Sequence, residues 1–141
     1  RVEAEGLPVL VIDGDFTEAS GTRGAEILVG QPELPTAVFV ANDLAAVGAI
    51  DGLAQAGLRV PEDVSVVGYA NTALAALKHI NLTTVNQPRQ AMGQRAIQRA
   101  VERLSGQRTE PVTVVLEPNL VPRRTSAPPS PSRTCPRNPQ R

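Results

Sequence analysis

The 141-residue chain is long enough for one domain of modest size, and 41% of its residues are hydrophobic, which is enough for a buried core. Fourteen Lys and Arg balance fourteen Asp and Glu, so no net charge draws the chain to nucleic acid or to a membrane. One cysteine and one histidine argue against an internal disulfide, a Cys/His metal site, a catalytic histidine or a bound cofactor. No apolar run reaches membrane-spanning length, and we expect a cytoplasmic setting.

Short β-branched runs alternate with helical periodicity along the chain, which is typical of an α/β fold with a parallel sheet. Strands are predicted at residues 8–12, 36–40, 64–67, 82–85 and 112–116. Helices are predicted at residues 17–29, 42–56 and 88–104, with an Ala/Leu-rich segment at 72–77 and an extended piece at 119–122.

Local signals define the ends of these helices. Asn42 is predicted to cap the second helix and Gly57 to end it, whereas Gly21 and Gly24 weaken the first. Pro88 suits the first turn of the third helix, and Gly106 lies beyond its end. The third helix also has a predicted core stripe, formed by Met92, Ala96, Ala100 and Leu104.

The composition changes at residue 127. Residues 1–126 are predicted to form one domain, whereas Pro, Ser and Arg dominate residues 127–141. Such a segment has no apolar periodicity from which to build a core, so we expect a disordered tail there.

Polar residues follow each of the first four predicted strands. Asp13 and Asp15 follow the first strand, Asn42 and Asp43 the second, Asn71 the third, and Asn86 and Gln87 the fourth. Parallel strands end at one edge, where α/β proteins bind ligands. Amides, carboxylates and the ring of Phe16 would suit a sugar or nucleoside, although the same residue types also cap helices and shape turns.

Enzyme motifs are missing from the sequence. The glycines around Gly21 fit neither a phosphate-binding loop nor a dinucleotide-binding pattern, and no G-x-S-x-G elbow occurs. Asp13 and Asp15 have no second acid motif that would favour glycosidase chemistry. We therefore expect a binding protein with no catalytic residues.

Several segments, in order and at matching spacing, resemble landmarks of LacI/GalR-family transcription regulators. They are Asp13-Gly-Asp-Phe-Thr, Pro35-Thr-Ala-Val-Phe-Val-Ala-Asn-Asp43, Gly57-Leu-Arg-Val-Pro-Glu-Asp-Val-Ser-Val-Val-Gly-Tyr69, Leu82-Thr-Thr-Val-Asn-Gln-Pro88 and Leu120-Val-Pro-Arg-Arg-Thr-Ser126. The resemblance covers nearly all of residues 1–126. It implies a three-layer αβα parallel sheet that forms the C-terminal subdomain of a type I periplasmic-binding-protein-like fold.

The resemblance also implies a function and residues that carry it. It implies sensing of a small-molecule effector, homodimerisation, and operator binding through a helix-turn-helix that this chain lacks. Phe16, Asn42 and Gln87 correspond to effector-binding positions of the family, with Asp15 and Asp43 as weaker candidates. The surface facing the dimer partner corresponds to Leu44, Val47, Leu74, Leu77 and Lys78.

The chain departs from the family at two points. Ala70 occupies a position where the family usually has Asp. Three explanations stay open: the effector is less polar there, Asn71 replaces the carboxylate, or effector binding has been lost. Most of the first subdomain is missing, so we expect one wall of a two-walled cleft. Two other functions stay open, namely a sugar-binding protein of a transporter and a truncated relic that pairs with intact regulators.

Overall fold

The computed structural model describes residues 8–129. Residues 1–7 and residues 130–141, which make up most of the predicted tail, lie outside the described residues. The helices are α1 (Glu18–Val29), α2 (Asp43–Gln55) and α3 (Arg89–Leu104), and the strands are β1 (Ala37–Phe39), β2 (Ser65–Tyr69), β3 (Thr83–Asn86) and β4 (Asn119–Val121). A short 3-10 helix, Ala73–Ala76, follows β2. Within residues 8–129, none of the helices has both the length and the hydropathy needed to span a membrane.

The four strands form one mixed sheet in the order β1-β2-β3-β4. The first three strands are parallel, with Val38 opposite Val66 and Gly68 opposite Thr84. The last strand runs antiparallel to β3, with Thr84 opposite Val121. Parallel neighbours joined by helical crossovers confirm the predicted α/β class.

The core lies between α2 and the sheet. Leu53 of α2 is fully buried in a cluster with Val64, Val66 and Leu82. Because Val66 alternates with Val67 along β2, the opposite face of the sheet carries Tyr69, whose ring meets that of Phe39 edge to face at 6.2 Å. Helix α2 therefore packs against one face of the sheet, and the rings of Phe39 and Tyr69 lie on the other face.

Helices α1 and α2 pack through glycines at very short range. A Cβ added to Gly21 would lie 1.9 Å from the carbonyl oxygen of Ala45, and one added to Gly48 would lie 1.9 Å from that of Glu18. The hydroxyl of Thr22 also donates to the carbonyl of Gly48 at 3.1 Å. Gly21, predicted to weaken the first helix, is thus the residue that lets α1 approach α2.

The ends of α2 follow the predicted signals. The side chain of Asn42 accepts a hydrogen bond from the backbone N–H of Ala45 at 2.9 Å. Gly57, just after the helix, has φ +78, a conformation that favours glycine. Both predictions for this helix are confirmed.

The segment that follows β4 is hydrogen-bonded to β2 and β3. The hydroxyl of Thr125 donates to the carbonyl of Val66 at 2.7 Å and accepts from the N–H of Thr83 at 2.9 Å. Ala127 exchanges two hydrogen bonds with the hydroxyl of Ser65. The ordered contacts thus extend to the first residue of the predicted tail.

Three predictions about apolar segments are wrong. Residues 8–12 form no strand, and Val11 is 76% exposed, because none of the described elements pairs with this segment or covers it. Residues 112–116 form no strand either; the last strand forms instead at Asn119–Val121, where β3 offers a free edge. The stripe from Met92 to Leu104 is not core, because no residue of α3 is buried.

Candidate functional site

Four loops meet at the carboxyl edge of the sheet, and the first link between them joins Phe16 to Asn42. The side-chain amide of Asn42 donates to the carbonyl oxygen of Phe16 at 2.8 Å while its oxygen caps α2. Asn42 therefore fixes the backbone that presents the phenylalanine ring, and that ring is 62% exposed.

Asp43 supplies the second link. It is only 1% exposed, and its carboxylate accepts three hydrogen bonds: from the N–H and hydroxyl of Thr72 at 2.6 and 2.8 Å, and from the hydroxyl of Thr84 at 2.6 Å. A Cβ added to Gly68 would lie 2.7 Å from Oδ1 of Asp43, so the glycine leaves room for the carboxylate. Such bonds to a buried charged group hold the loop after β2 in place.

The third link is a relay of side-chain amides that starts at Arg123. The guanidinium of Arg123 donates to Oδ1 of Asn71 at 2.8 Å and to the carbonyl of Leu82 at 2.7 Å. The amide of Asn71 donates to Oδ1 of Asn86 at 3.2 Å, and the amide of Asn86 donates to Oδ1 of Asn119 at 3.0 Å. Because a guanidinium can only donate, it fixes the orientation of each amide after it.

The backbone of this edge adopts a conformation that side chains disfavour. Phe16 has φ 65, Ala70 has φ 108 and Asn71 has φ 49. Asparagine tolerates this region, but alanine at φ 108 is strained. Residues outside regular structure that are held in such conformations often belong to functional sites.

Asp15 lies in the loop before α1. Its carboxylate accepts from the hydroxyl and the N–H of Thr17 at 2.5 and 3.2 Å and lies 3.6 Å from the guanidinium of Arg23. The hydrogen bond from the Thr17 hydroxyl is the main cause that lowers the pKa of Asp15 from 3.8 to about 2. Asp15 is therefore an anion that supports the start of α1.

Gln87 lies beside the relay, directly after β3, and is half-buried. It lines an open groove of about 930 Å³ between the end of β3 and the first turns of α3, together with Asn86, Arg89, Gln90 and Gln94. Arg89 is exposed and reaches the carbonyl of Asn71 at 3.4 Å. The groove is thus continuous with the loop at residues 70–72.

The other predicted surface lies on α2 and the 3-10 helix. Leu44, Leu77 and Lys78 are exposed, whereas Val47 and Leu74 are half-buried. Exposed leucines on neighbouring elements form a surface on which another protein could dock.

The arrangement suits binding better than catalysis or metal coordination. Within residues 8–129, no group of three or more His, Cys, Asp or Glu could hold a metal ion. Hydrogen bonds tie Asn42, Asp43 and Asn71 into this edge. The sequence analysis missed three of the partners: Thr72 and Thr84, which bond to Asp43, and Arg123, which bonds to Asn71. Arg123 lies in residues 120–126, a segment that resembles the LacI/GalR family, and this resemblance was the one feature of the sequence that could have drawn attention to it.

Comparison with known proteins places the chain in a family. The profile of the periplasmic binding protein-like domain matches residues 1–126. The HTH-type transcriptional repressor PurR of Escherichia coli (strain SE11) is 38% identical over 117 residues, which are 83% of this chain and 34% of the repressor. The chain therefore spans about a third of the length of the curated relatives it matches.

Solved structures agree with this relationship. A LacI transcriptional regulator from a Rhodococcus species is 40% identical with a TM-score of 0.79, over 84% of this chain and 43% of that one. The transcriptional regulator CelR in complex with cellobiose is 40% identical with a TM-score of 0.82, over 89% of this chain and 39% of that one. The chain thus belongs to the periplasmic binding protein-like domain family, and it resembles the effector-binding domain of LacI-family transcription regulators.

Proposed function

We propose that this chain senses a sugar or a related small polyhydroxyl effector at the carboxyl edge of its sheet. The observation that carries the proposal is the continuous hydrogen-bonded chain across four loops, from Phe16 through Asn42 and Asp43 to Asn71 and Asn86. A polyhydroxyl ligand needs several polar groups held in fixed relative positions, and such a chain provides them. The cellobiose bound to CelR supports the same class of ligand.

The candidate residues divide into two roles in this proposal. Phe16 and Gln87 contact the effector, since the ring is free to cover an apolar sugar face and the amide of Gln87 can meet two hydroxyls. Asn42, Asp43 and Asn71 are positioning residues, because their side chains are already bonded within the edge. Asp15 supports them by holding the start of α1.

The proposal also includes dimerisation and DNA binding, as functions of a longer protein that contains this chain. Leu44, Val47, Leu74, Leu77 and Lys78 form the homodimer surface, with Leu44 and Leu77 at its exposed centre. Operator binding requires a helix-turn-helix outside this chain, and the effector would shift the equilibrium between two dispositions of the DNA-binding heads. No catalytic step is needed, and a regulator of this kind works in the cytoplasm.

Backbone amide NMR of the labelled 141-residue chain, titrated with cellobiose, D-glucose and D-ribose, tests the proposal. We expect at least one of these sugars to shift the signals of residues 16, 71 and 87, and Phe16→Ala to weaken that binding about tenfold. Phe39→Ala is the matched control, because this second exposed phenylalanine lies in β1 with its ring against Tyr69, and not in the loop that is bonded to Asn42. The proposal is wrong if no sugar shifts the edge signals or if both variants weaken binding equally.

A further inference from the structure

The groove beside β3 contains no acidic residue. Its polar lining consists of the amides of Asn86, Gln87, Gln90 and Gln94 and the guanidinium of Arg89, with Pro88 and Ala91 between them. The carboxylates of this edge are elsewhere: Asp43 is buried beneath the loop, and Asp15 is bonded to Thr17. A ligand in the groove therefore meets amides and one positive charge.

The amide relay orients three asparagines so that each side-chain oxygen already accepts one hydrogen bond, while N–H donors remain at the open edge. The side-chain oxygen of Asn71 is used by Arg123, that of Asn86 by Asn71, and that of Asn119 by Asn86. Each primary amide has two N–H donors, so Asn86 keeps one and Asn119 keeps both. The relay therefore ends in N–H groups at the open edge.

The position of Arg89 is unfavourable for the helix that carries it. It is the first residue of α3, and the first turn contains no acid to balance it. A positive charge there opposes the helix dipole. The one side-chain hydrogen bond that Arg89 makes to a described residue, to the carbonyl of Asn71 at 3.4 Å, is long. Helix stability thus gives no reason for an arginine at this position, which points to a role in binding.

Ala70 adds no acceptor to this edge, because its side chain is a methyl group. The groove and the loop at residues 70–72 are joined through the bonds of Asn71 to Asn86 and to Arg89. The loop at residues 70–72 and the groove therefore form one continuous surface.

We propose that this edge selects a sugar-like effector bearing an oxyanion, either a carboxylate or a phosphate, and that Arg89 is the residue that determines this specificity. The inference rests on the proposed function and adds the chemical class of the effector. Arg89 pairs with the anionic group, and the amides of Asn86 and Gln87 donate to its oxygens. Charge-assisted hydrogen bonds of this kind are stronger than those between neutral groups.

The test compares D-glucuronate and D-glucose 6-phosphate with D-glucose, which differ only at the sixth carbon. Dissociation constants are measured by the same NMR titration of the full chain at low salt. We expect one of the two acids to bind about tenfold more tightly than glucose. Which acid it is distinguishes a carboxylate from a phosphate as the recognised group.

Two variants show whether Arg89 carries the preference. R89Q should abolish the tenfold preference, so that the acid and glucose bind about equally tightly. R103Q is the matched control, because it removes the same charge from the last turn of α3, far along the helix from the groove. We expect it to keep the preference.

The outcomes separate the inference from the proposed function. Glucose binding as tightly as both acids, or R103Q abolishing the preference as R89Q does, overturns the oxyanion proposal and leaves the sugar site standing. Absence of any shift at the edge with all three compounds and with cellobiose and ribose overturns both.

Discussion

Helices α2 and α3 have similar lengths, and both carry apolar residues at helical spacing, but only one of them is part of a core. Helix α2 buries its small residues and Leu53 against α1 and the sheet. Helix α3 segregates its apolar residues more sharply, yet none is buried, and Leu104 is 89% exposed. The difference shows that an apolar stripe allows a helix to pack, but the stripe is buried only where another element lies against it.

This contrast divides the described part of the chain into a platform and an appended segment. The platform is α1, α2, the four-stranded sheet and the segment through Ala127. The appended segment is α3 with residues 112–116, which face each other across a shallow groove of about 340 Å³. The candidate site lies where the two meet, since Asn71 and Asn86 belong to the platform and Arg89 to the appended segment.

The largest loss of stability is expected from a substitution in the platform where α1 and α2 approach most closely. In Gly48→Ala the new methyl group would lie 1.9 Å from the carbonyl oxygen of Glu18, so the helices must separate. We expect a loss of about 3 kcal/mol in the free energy of unfolding, measured by urea denaturation with circular dichroism. Gly24→Ala is the control, because nothing lies within 4 Å of its added Cβ. It should stabilise the chain slightly, and equal losses would contradict the packing described.

A matched pair of truncations compares the two helices directly. Leu53→Ala should cost about 3 kcal/mol, because the side chain is fully buried in the core. Leu104→Ala should change the free energy of unfolding by less than about 0.5 kcal/mol, because that leucine is exposed. The same urea experiment measures both. A large loss on truncating Leu104 would mean that α3 packs against a surface.

A smaller effect of opposite sign is expected at the strained loop. Ala70 has φ 108, which glycine adopts without steric cost, so Ala70→Gly should raise the free energy of unfolding by about 1 kcal/mol. Ala76→Gly, in the 3-10 helix nearby, should lower it instead. If Ala70→Gly destabilises the chain, the loop does not hold this conformation in solution.

The smallest effect concerns pH. The pKa of Asp15 is lowered from 3.8 to about 2, so its stabilising contribution is present above the unfolded value and is lost as pH falls toward 2. The difference in urea midpoint between the wild type and Asp15→Asn should therefore shrink between about pH 5 and pH 2. In a Thr17→Val background, which lacks the principal hydrogen-bond donor, the difference should depend less on pH, because the backbone N–H of residue 17 and Arg23 still lower the pKa of Asp15.

Local signals predicted the parts of the fold that depend on short-range interactions. The cap at Asn42, the stop at Gly57 and the three parallel strands were predicted because capping, turn chemistry and β-branched runs act within a few residues. The segment at 8–12 has the same composition as a buried strand. It stays unpaired although β1 leaves its outer edge free, so composition alone does not determine whether a segment joins a sheet.

Sequence reasoning found the candidate site but not how it is held together. Motif order directed attention to Asn42, Asp43 and Asn71 at one sheet edge. The burial of Asp43 depends on Thr72 and Thr84, which are 29 and 41 residues away, and no local pattern reports such partners. Arg123 orients Asn71 across 52 residues of sequence, which only the folded sheet brings about.

Amide hydrogen exchange at peptide resolution tests the central claim, that an ordered platform supports the site while α3 is appended to it. We expect slow exchange in α2, in β3 and in the loop whose Thr72 N–H is bonded to Asp43. We expect fast exchange throughout α3 and residues 112–116. Protection of α3 equal to that of α2 would contradict it.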